Sequence, residues 1–517
     1  MQLSKGNGPR WGFAATLLLL SGLSGTSDAG IIKGPYLQAL RTDGITILWQ
    51  QQNATTGTVT INGSSLGSPS GTLHEVVVTG LSPDTTYTYT VDSDGETDSG
   101  TFTTAPSDPL ACFAFLALGD NRSIHADHTT VVNAVLQNEA GMGFLMNTGD
   151  LVSSGEVGSD WQFFFDIEYP LIKDLPFYPT IGNHEEDGGS LPSFYTDHLA
   201  PPTDTSGTEN YYSFVYANSA FIVLDGHVDI VPLIGNFSAN QLSWLNAELA
   251  QHSADPTIQH IFVFSHEPPY SSADNRTGNY YLRELLRQAS SAFAVHGVDA
   301  VICGHDHYIE RGASPVGVRY YIMGGGGAPI YNNNSVGNLG SKPATIAGLF
   351  TDAHDVYFAQ EIHGYMRVTV CNGQVDVEIK DTTNNVLDTE SWNTGDILPP
   401  GPDAGVPDAG LPQSDAAPTQ DDAAPTQGDA ETSTPDSAAP QPDSGATPGT
   451  PDSGCSCRQS SGGAPGGAVV LLLLGLLWRR RRSSRPGAYL QSRSTQWSTT
   501  RDSHNGCGKR WRERREK

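Results

Sequence analysis

"CFAFLALGDNRSIHADHTTVVNAVLQNEA", residues 112–140, decides how the middle of this 517-residue chain folds. The apolar run Cys112–Leu118 has the length of a strand, and "HTTVVNAVLQNEA" (128–140) reads as a helix. Between them stands Asp120, a carboxylate at a strand end, where a loop can present it while the sheet holds it still. The alternation repeats. "GFLMNT" (143–148) precedes the helical "SDWQFFFDIEYPLIKDL" (159–175), and "FYPTI" (177–181) follows. "AFIVLDG" (220–226) precedes "SANQLSWLNAELAQHS" (238–253), where Ser238 and Gln241 form a capping box. "IQHIFVF" (258–264) precedes "YLRELLRQASSAFAVHG" (281–297), and "VDAVICG" (298–304) closes the series. This is α/β patterning, running from about Ala111 to Glu390. Beyond Tyr308 the segments are strand-like and glycine-rich, as in "GYMRVTVCNGQVDVEIKD" (364–381), and are expected to form a second sheet.

The flanks differ in kind. Residues 1–29 read as an export signal: Lys5 and Arg10 precede the apolar "WGFAATLLLLSGL", too short to span a bilayer, and "SDAG" offers a cut after Ala29. Residues 30–105 contain alternating strands, and "LSPDTTYTYTV" (81–91) resembles the fibronectin type III sandwich, with Tyr87 as its corner tyrosine. Residues 398–454 hold ten acidic and no basic residues with little apolar bulk, a composition for a disordered stalk. Residues 455–482 bring "GCSC", a short apolar run and Arg479–Arg482, an order that resembles the C-terminal surface-sorting segments of myxobacterial proteins. A basic tail of unassigned role, 483–517, follows.

Acidic residues outnumber basic ones 56 to 28, and fourteen of the basic ones lie from Arg458 onward. The exported body is therefore more acidic still, which argues against a DNA- or RNA-binding role. The six cysteines suggest no disulfide framework; Cys112, Cys303 and Cys371 are expected to be buried free thiols.

Each strand of the α/β region ends in a polar phrase. "LALGD" delivers Asp120 and "MNTGD" delivers Asp150. "PTIGNHE" delivers Asn183, His184 and Glu185, "FVFSHEPPY" delivers His266, and "ICGHDH" delivers His305 and His307. Carboxylates, an amide oxygen and imidazoles make an N/O ligand set suited to Zn, Mn or Fe. Over about 280 residues these phrases resemble the calcineurin-like metallophosphoesterases, and the preceding sandwich makes the nearest relatives look like purple acid phosphatases and their bacterial cousins. The resemblance implies an α/β fold, an α/β/β/α metallophosphoesterase sandwich (110–395) preceded by a small all-β fibronectin type III-like sandwich. It implies two divalent or trivalent metal ions (Fe, Zn or Mn), one held by Asp120, Asp150 and His307, the other by Asp150, Asn183, His266 and His305. Asp150 would bridge them. His184 would be the proton donor. The reaction implied is hydrolysis of a phosphate ester by hydroxide generated at the metals, with phosphomonoesters as the leading substrate. A phosphodiesterase, or a surface adhesin with a vestigial site, are the alternatives.

Two positions depart from the resemblance. Arg122 stands where the wider family often has histidine, and Ser153 where purple enzymes have tyrosine, so no purple charge-transfer band and no fixed ferric ion are expected. Arg122 is read as a fork for phosphate oxygens, against a strand-end salt bridge. His125 and His128 are read as surface groups or as support for the ligands, Glu185 as orienting His184 or a ligand, Asp306 as supporting the two histidines beside it, and "GGGGAP" (324–329) as a tight loop at the site rim. The destination expected is the cell surface or outer membrane, attached to the envelope through the C-terminal segment.

Overall fold

The computed structural model describes residues 30–398, apart from 187–189, 228–229, 232–235, 274–279, 332–339, 347–349 and 397. The expected leader, stalk, sorting segment and basic tail lie outside the described residues, residue 398 aside. Among the described residues no helix is long and apolar enough to cross a membrane.

The N-terminal unit contains β1 (Ile31–Gln38), β2 (Ile45–Ile61), β3 (Ser64–Val78), β4 (Thr86–Ser93) and β5 (Glu96–Thr103). The long β2 serves both layers of a sandwich: residues 46–51 pair with β1, whereas 57–61 pair with β4. Its register breaks between Thr55 and Gly57. A Cβ at Gly57 would drive into the Trp49 ring, so glycine lets the strand fold back over that tryptophan. The Tyr87 hydroxyl accepts from Ser82 N at 2.9 Å, closing the expected tyrosine corner. The sandwich is seated on the domain that follows: Tyr36 donates to His198 O at 2.6 Å, Tyr89 donates to Lys173 O at 2.7 Å, and the Tyr178 hydroxyl accepts from Leu40 N at 3.1 Å.

The second domain begins with β6 (Phe113–Leu118), α1 (His125–Asn138), β7 (Phe144–Asn147), α2 (Gly158–Ile172) and β8 (Phe177–Pro179). Next come α3 (Ser193–His198), β9 (Tyr212–Tyr216), β10 (Ser219–Val223), the short pair β11 (Ile230–Val231) and β12 (Asn236–Phe237), and α4 (Ala239–Ala254). They are followed by β13 (His260–Phe264), α5 (Tyr280–Val295) and β14 (Ala300–Cys303). The last strands are β15 (Ile309–Ala313), β16 (Arg319–Met323), β17 (Gly340–Ile346), β18 (Phe350–Gln360), β19 (Gly364–Cys371), β20 (Gln374–Asp381) and β21 (Val386–Asn393).

Strands that are apolar on both faces belong between two layers, and their alternation shows the stacking. Phe113, Phe115 and Ala117 of β6, Phe221 and Val223 of β10, Phe262 and Phe264 of β13, and Ala300 and Ile302 of β14 share one core between the sheets. The intervening residues of β10, β13 and β14 pack outward against α4 and α5, while Leu116 and Leu118 pack against α1 and α2. The layers are therefore α/β/β/α.

The strands after Tyr308 do not form a sheet of their own, contrary to expectation. One sheet runs β17-β18-β15-β16-β14-β13-β10-β9, and the other runs β21-β20-β19-β6-β7-β8. β6 is buried on both faces and needs a neighbour at its free edge; β19 supplies it, with Met366↔Ala117 through Val370↔Phe113 in antiparallel register. That register also corrects the expectation of free thiols at Cys112 and Cys371, which face each other beyond the Val370↔Phe113 pair and form a disulfide. Cys303 is a buried free thiol. Ser238 caps α4, its hydroxyl accepting from Gln241 N at 3.0 Å, and the Gln241 side chain pairs with the backbone of Asp225 after β10.

Candidate metal centre

Five parallel strands deliver the polar phrases to one place. Asp120 lies two residues past β6, Asp150 three past β7, Asn183 four past β8, His266 two past β13 and His305 two past β14. In open α/β sheets such crevices at the carboxyl ends of strands are where ligands bind. Three of these residues are held in left-handed backbone, with φ of 58° at Asp120, 56° at Asp150 and 68° at His305. Each such conformation costs on the order of 1–3 kcal/mol for a non-glycine residue and persists where the surroundings over-determine it. Gly149, at φ 95°, makes room for the turn: a Cβ there would lie 2.8 Å from His266 Nδ1 and 3.0 Å from Gly182 N.

The side chains converge in two groups. Ligand atoms of Asp120, Asp150 and His307 lie within 4.8 Å of one another. In the second group His266 Nε2 is 3.2 Å from Asp150 Oδ1, 3.3 Å from Asn183 Oδ1 and 3.2 Å from His305 Nδ1, while His305 Nδ1 is 3.0 Å from Asn183 Oδ1. Backbone carbonyls orient the rings. His266 Nδ1 donates to Thr148 O at 2.8 Å and His307 Nδ1 donates to Pro329 O at 2.9 Å, so in their neutral forms both turn an Nε2 lone pair inward. Asp120, Asp150, His266, His305 and His307 are buried, and Asn183 is partly exposed.

A cation fits this set. Asp120 Oδ1 is buried without a hydrogen-bond partner, a costly state for a carboxylate oxygen beside a second buried carboxylate. Burial pushes the Asp120 carboxyl up to about 8, Asp150 adding to this against the pull of His266. Burial would raise Asp150 as well, but the positive charges of His266, His184 and Arg122 hold it well below the usual carboxylate range. Carboxylate, amide and imidazole donors together suit divalent or trivalent metals.

Arg122 reaches this centre directly. Its Nε donates to Asp150 Oδ2 at 2.8 Å and its Nη2 lies 3.1 Å from His307 Nε2, so it makes the salt bridge of its plainer reading while standing beside both groups. The His184 Nδ1 donates to Ser153 O at 2.6 Å, leaving Nε2 3.9 Å from Asp150 Oδ2 with its side chain 28% exposed. Thus position 153 contributes its carbonyl to the site.

Glu185 does not orient His184. Its carboxylate accepts from Asp150 N and Gly182 N, both at 2.8 Å, and from Val152 N at 3.2 Å, and so shapes the Asp150 turn. The Asp306 Oδ1 accepts from Arg283 Nη2 at 2.8 Å. His125 is exposed on α1, whereas His128 is buried and pairs with Glu168 at 2.7 Å. Glu168 also accepts from Asn121, which accepts from Asn147, a polar brace beneath the Asp120 turn. The glycine loop lies at the site: Gly326 N donates to Gly119 O at 2.9 Å and Ala328 N to Asp120 O at 2.7 Å, so these groups serve protein carbonyls. Sequence reasoning missed Glu267, Arg283 and His227. Glu267 and Arg283 are buried beside the centre, and His227, its side chain 6% exposed and its ring 5.5 Å from that of His266, is driven down to about 3 by burial. Only the adjacency of Glu267 to His266 marked any of them in the sequence.

Comparison with known proteins agrees with this geometry. Residues 32–104 match the family described as "Purple acid Phosphatase, N-terminal domain", and residues 113–308 match "Calcineurin-like phosphoesterase". An uncharacterized protein of Mycobacterium tuberculosis is 30% identical over 267 residues, covering 45% of this chain and 49% of that one. Purple acid phosphatase 18 of Arabidopsis thaliana is 27% identical over 274 residues, covering 50% of this chain and 59% of that one. The chain thus spans about half the length of the curated relatives it matches. In fold, it is similar to the purple acid phosphatase PPD1 of yellow lupin seeds, with a TM-score of 0.54 at 18% identity over 69% of this chain and 74% of that one. Residues 32–104 are thus similar to a purple acid phosphatase N-terminal domain and residues 113–308 to a calcineurin-like phosphoesterase domain.

Proposed function

We propose that this chain is an exported, surface-attached phosphatase that hydrolyses phosphomonoesters with the help of two metal ions. The observation that carries this reading is the convergence of Asp120, whose buried Oδ1 accepts no hydrogen bond and lies 3.5 Å from His307 Nε2, on Asp150 and His307, next to the imidazole and amide cluster of His266, His305 and Asn183. Asp120, Asp150 and His307 would hold one cation, and Asp150, Asn183, His266 and His305 the other. When bound, such a pair lowers the pKa of water to supply a nucleophile and neutralises charge on the phosphoryl group. The chain's own residues do the rest. Thr148 O and Pro329 O keep the His266 and His307 rings in the ligating orientation. Arg122, the cation beside Asp150 and His307, receives phosphoryl oxygens. His184, with Nδ1 tied to Ser153 O and Nε2 turned toward Asp150 Oδ2, delivers a proton to the departing oxygen.

The Cys112–Cys371 disulfide supports an oxidising compartment, in keeping with the export signal read in residues 1–29. Attachment rests on residues 398–482 and is tested by fractionating cells that carry the chain with and without them. For the reaction, turnover of aryl phosphates and bis-aryl phosphates is measured on metal-loaded protein. Preference for monoesters is expected, and Asp150→Ala should abolish turnover and reduce metal content at both positions. Diester preference would make the chain a phosphodiesterase, and no turnover of either would leave the adhesin. An Asp150→Ala protein with two metals and normal turnover would refute the ligand assignment.

A further inference from the structure

The far side of His305 is held by a buried charge network. While Nδ1 faces Asn183 Oδ1 at 3.0 Å, Nε2 lies 3.6 Å from Glu267 Oε1. Glu267 follows His266 directly and is fully buried, with His227 Nε2 also 4.0 Å from its Oε1. Arg283, buried on α5, brings Nε to 3.6 Å from Glu267 Oε2 and donates from Nη2 to Asp306 Oδ1 at 2.8 Å. Asp306 separates His305 from His307 in the chain. One guanidinium thereby ties the loop after β13, which carries His266, to the turn after β14, which carries His305 and His307.

Buried carboxylates need a compensating cation, and the rigid fork of arginine suits contact with two carboxylates at once. An imidazole whose outer nitrogen faces a carboxylate keeps its proton there and offers its other nitrogen to a metal, and loss of such a partner typically weakens metal binding about 10–100-fold. We propose that Glu267 is a positioning residue for the second cation, acting through His305, and that Arg283 is the clamp that holds Glu267 and Asp306 in place. This rests on the dinuclear reading given above.

The test is a Zn²⁺ titration of the purified chain, metal-stripped beforehand, against a competing chelator. Wild type should bind two equivalents. Glu267→Leu should weaken the second equivalent about 10–100-fold and leave the first unchanged. Glu267→Gln, which keeps an acceptor oxygen for His305, should restore most of that affinity. In a His305→Ala background Glu267→Leu should add no further loss, because the residue through which it acts is gone. Unchanged affinity, equal loss at both positions, or the same loss in the His305→Ala background would overturn the proposal. Should Glu267→Leu not fold, Arg283→Lys is read instead: it keeps the charge without reaching both carboxylates, and loss at the second position alone is expected. A wild-type chain that binds fewer than two equivalents would overturn the dinuclear reading itself.

Discussion

Glu310 on β15 is a buried carboxyl outside the metal centre, and its ionisation should be visible in the stability of the whole domain. It is fully buried and accepts hydrogen bonds from neutral donors: Ser272 N at 3.1 and 3.2 Å, Tyr320 Oη at 2.9 Å and Tyr308 Oη at 3.2 Å. Burial wins over these bonds and pushes the carboxyl up from 4.5 to about 7. The folded state therefore holds the proton more tightly than the unfolded chain. The resulting stabilisation is fully present below pH 4.5 and is lost as pH rises through 7. At about 1.4 kcal/mol per pH unit the full term is about 3 kcal/mol, of which about 2.5 kcal/mol is lost between about pH 5 and pH 8. Glu310→Gln removes the titration and keeps the packing. Its amide oxygen can take the Ser272 and Tyr320 bonds, and its NH₂ can donate to Tyr308 Oη, which lies 2.7 Å from Ser271 Oγ. Urea unfolding free energies of the two proteins should therefore diverge, wild type losing about 2.5 kcal/mol relative to the variant from pH 5 to pH 8. Parallel pH profiles, within about 0.5 kcal/mol, would refute the reasoning.

Three further outcomes are expected. Arg122→Ala should lower kcat/KM about tenfold to a hundredfold with metal content intact, the loss of a charge-assisted contact worth roughly 1.5–3 kcal/mol; loss of metal with unchanged phosphate inhibition would make the residue structural. His184→Ala should cripple hydrolysis of alkyl phosphates, by about 10²–10⁴-fold, and spare p-nitrophenyl phosphate, because only a poor leaving group needs the proton; equal losses on both substrates would remove the acid role. Replacing Cys112 and Cys371 together by alanine should cost about 2–5 kcal/mol in urea unfolding, and reductant should cost wild type alone the same; a wild type indifferent to reductant would show that the bond contributes nothing.

The layers were legible because burial on both faces leaves a mark in composition: β6, β10, β13 and β14 are short apolar runs whose only polar residues are Ser219 and His260 at their first positions. The site was legible for a related reason. Its candidate residues sit within a few residues of the ends of β6, β7, β8, β13 and β14, so each carries its own local label. What the chain conceals is long-range. Nothing local in "GYMRVTVC" says that this strand pairs with Phe113–Ala117 and not with its neighbours in sequence, so the late strands and the Cys112–Cys371 bond were misread together. Arg283 reads as an ordinary polar position of a helix, and only burial against Glu267 and Asp306 gives it meaning. Asp306 sits between two ligands, but its neighbours along the chain did not reveal which way its carboxylate turns.

The pairing of β6 with β19 also sets an order of events for a chain that emerges from its N-terminus. Phe113 meets its partner only when Val370 is out, after some 250 residues have been made. Until then the strand carrying the Asp120 turn has β7 on one edge and nothing on the other. Contacts that close so large a loop form slowly. A partly emerged chain thus displays all of its ligand phrases, His307 included, before the sheet that aims the first of them is complete. The free edge of β6 is thus covered late, when β19 pairs with it and the Cys112–Cys371 disulfide can close beside that pair. A chain cut short between residues 308 and 363 would keep all six candidate ligands and lack β19, the strand that pairs with β6 ahead of Asp120.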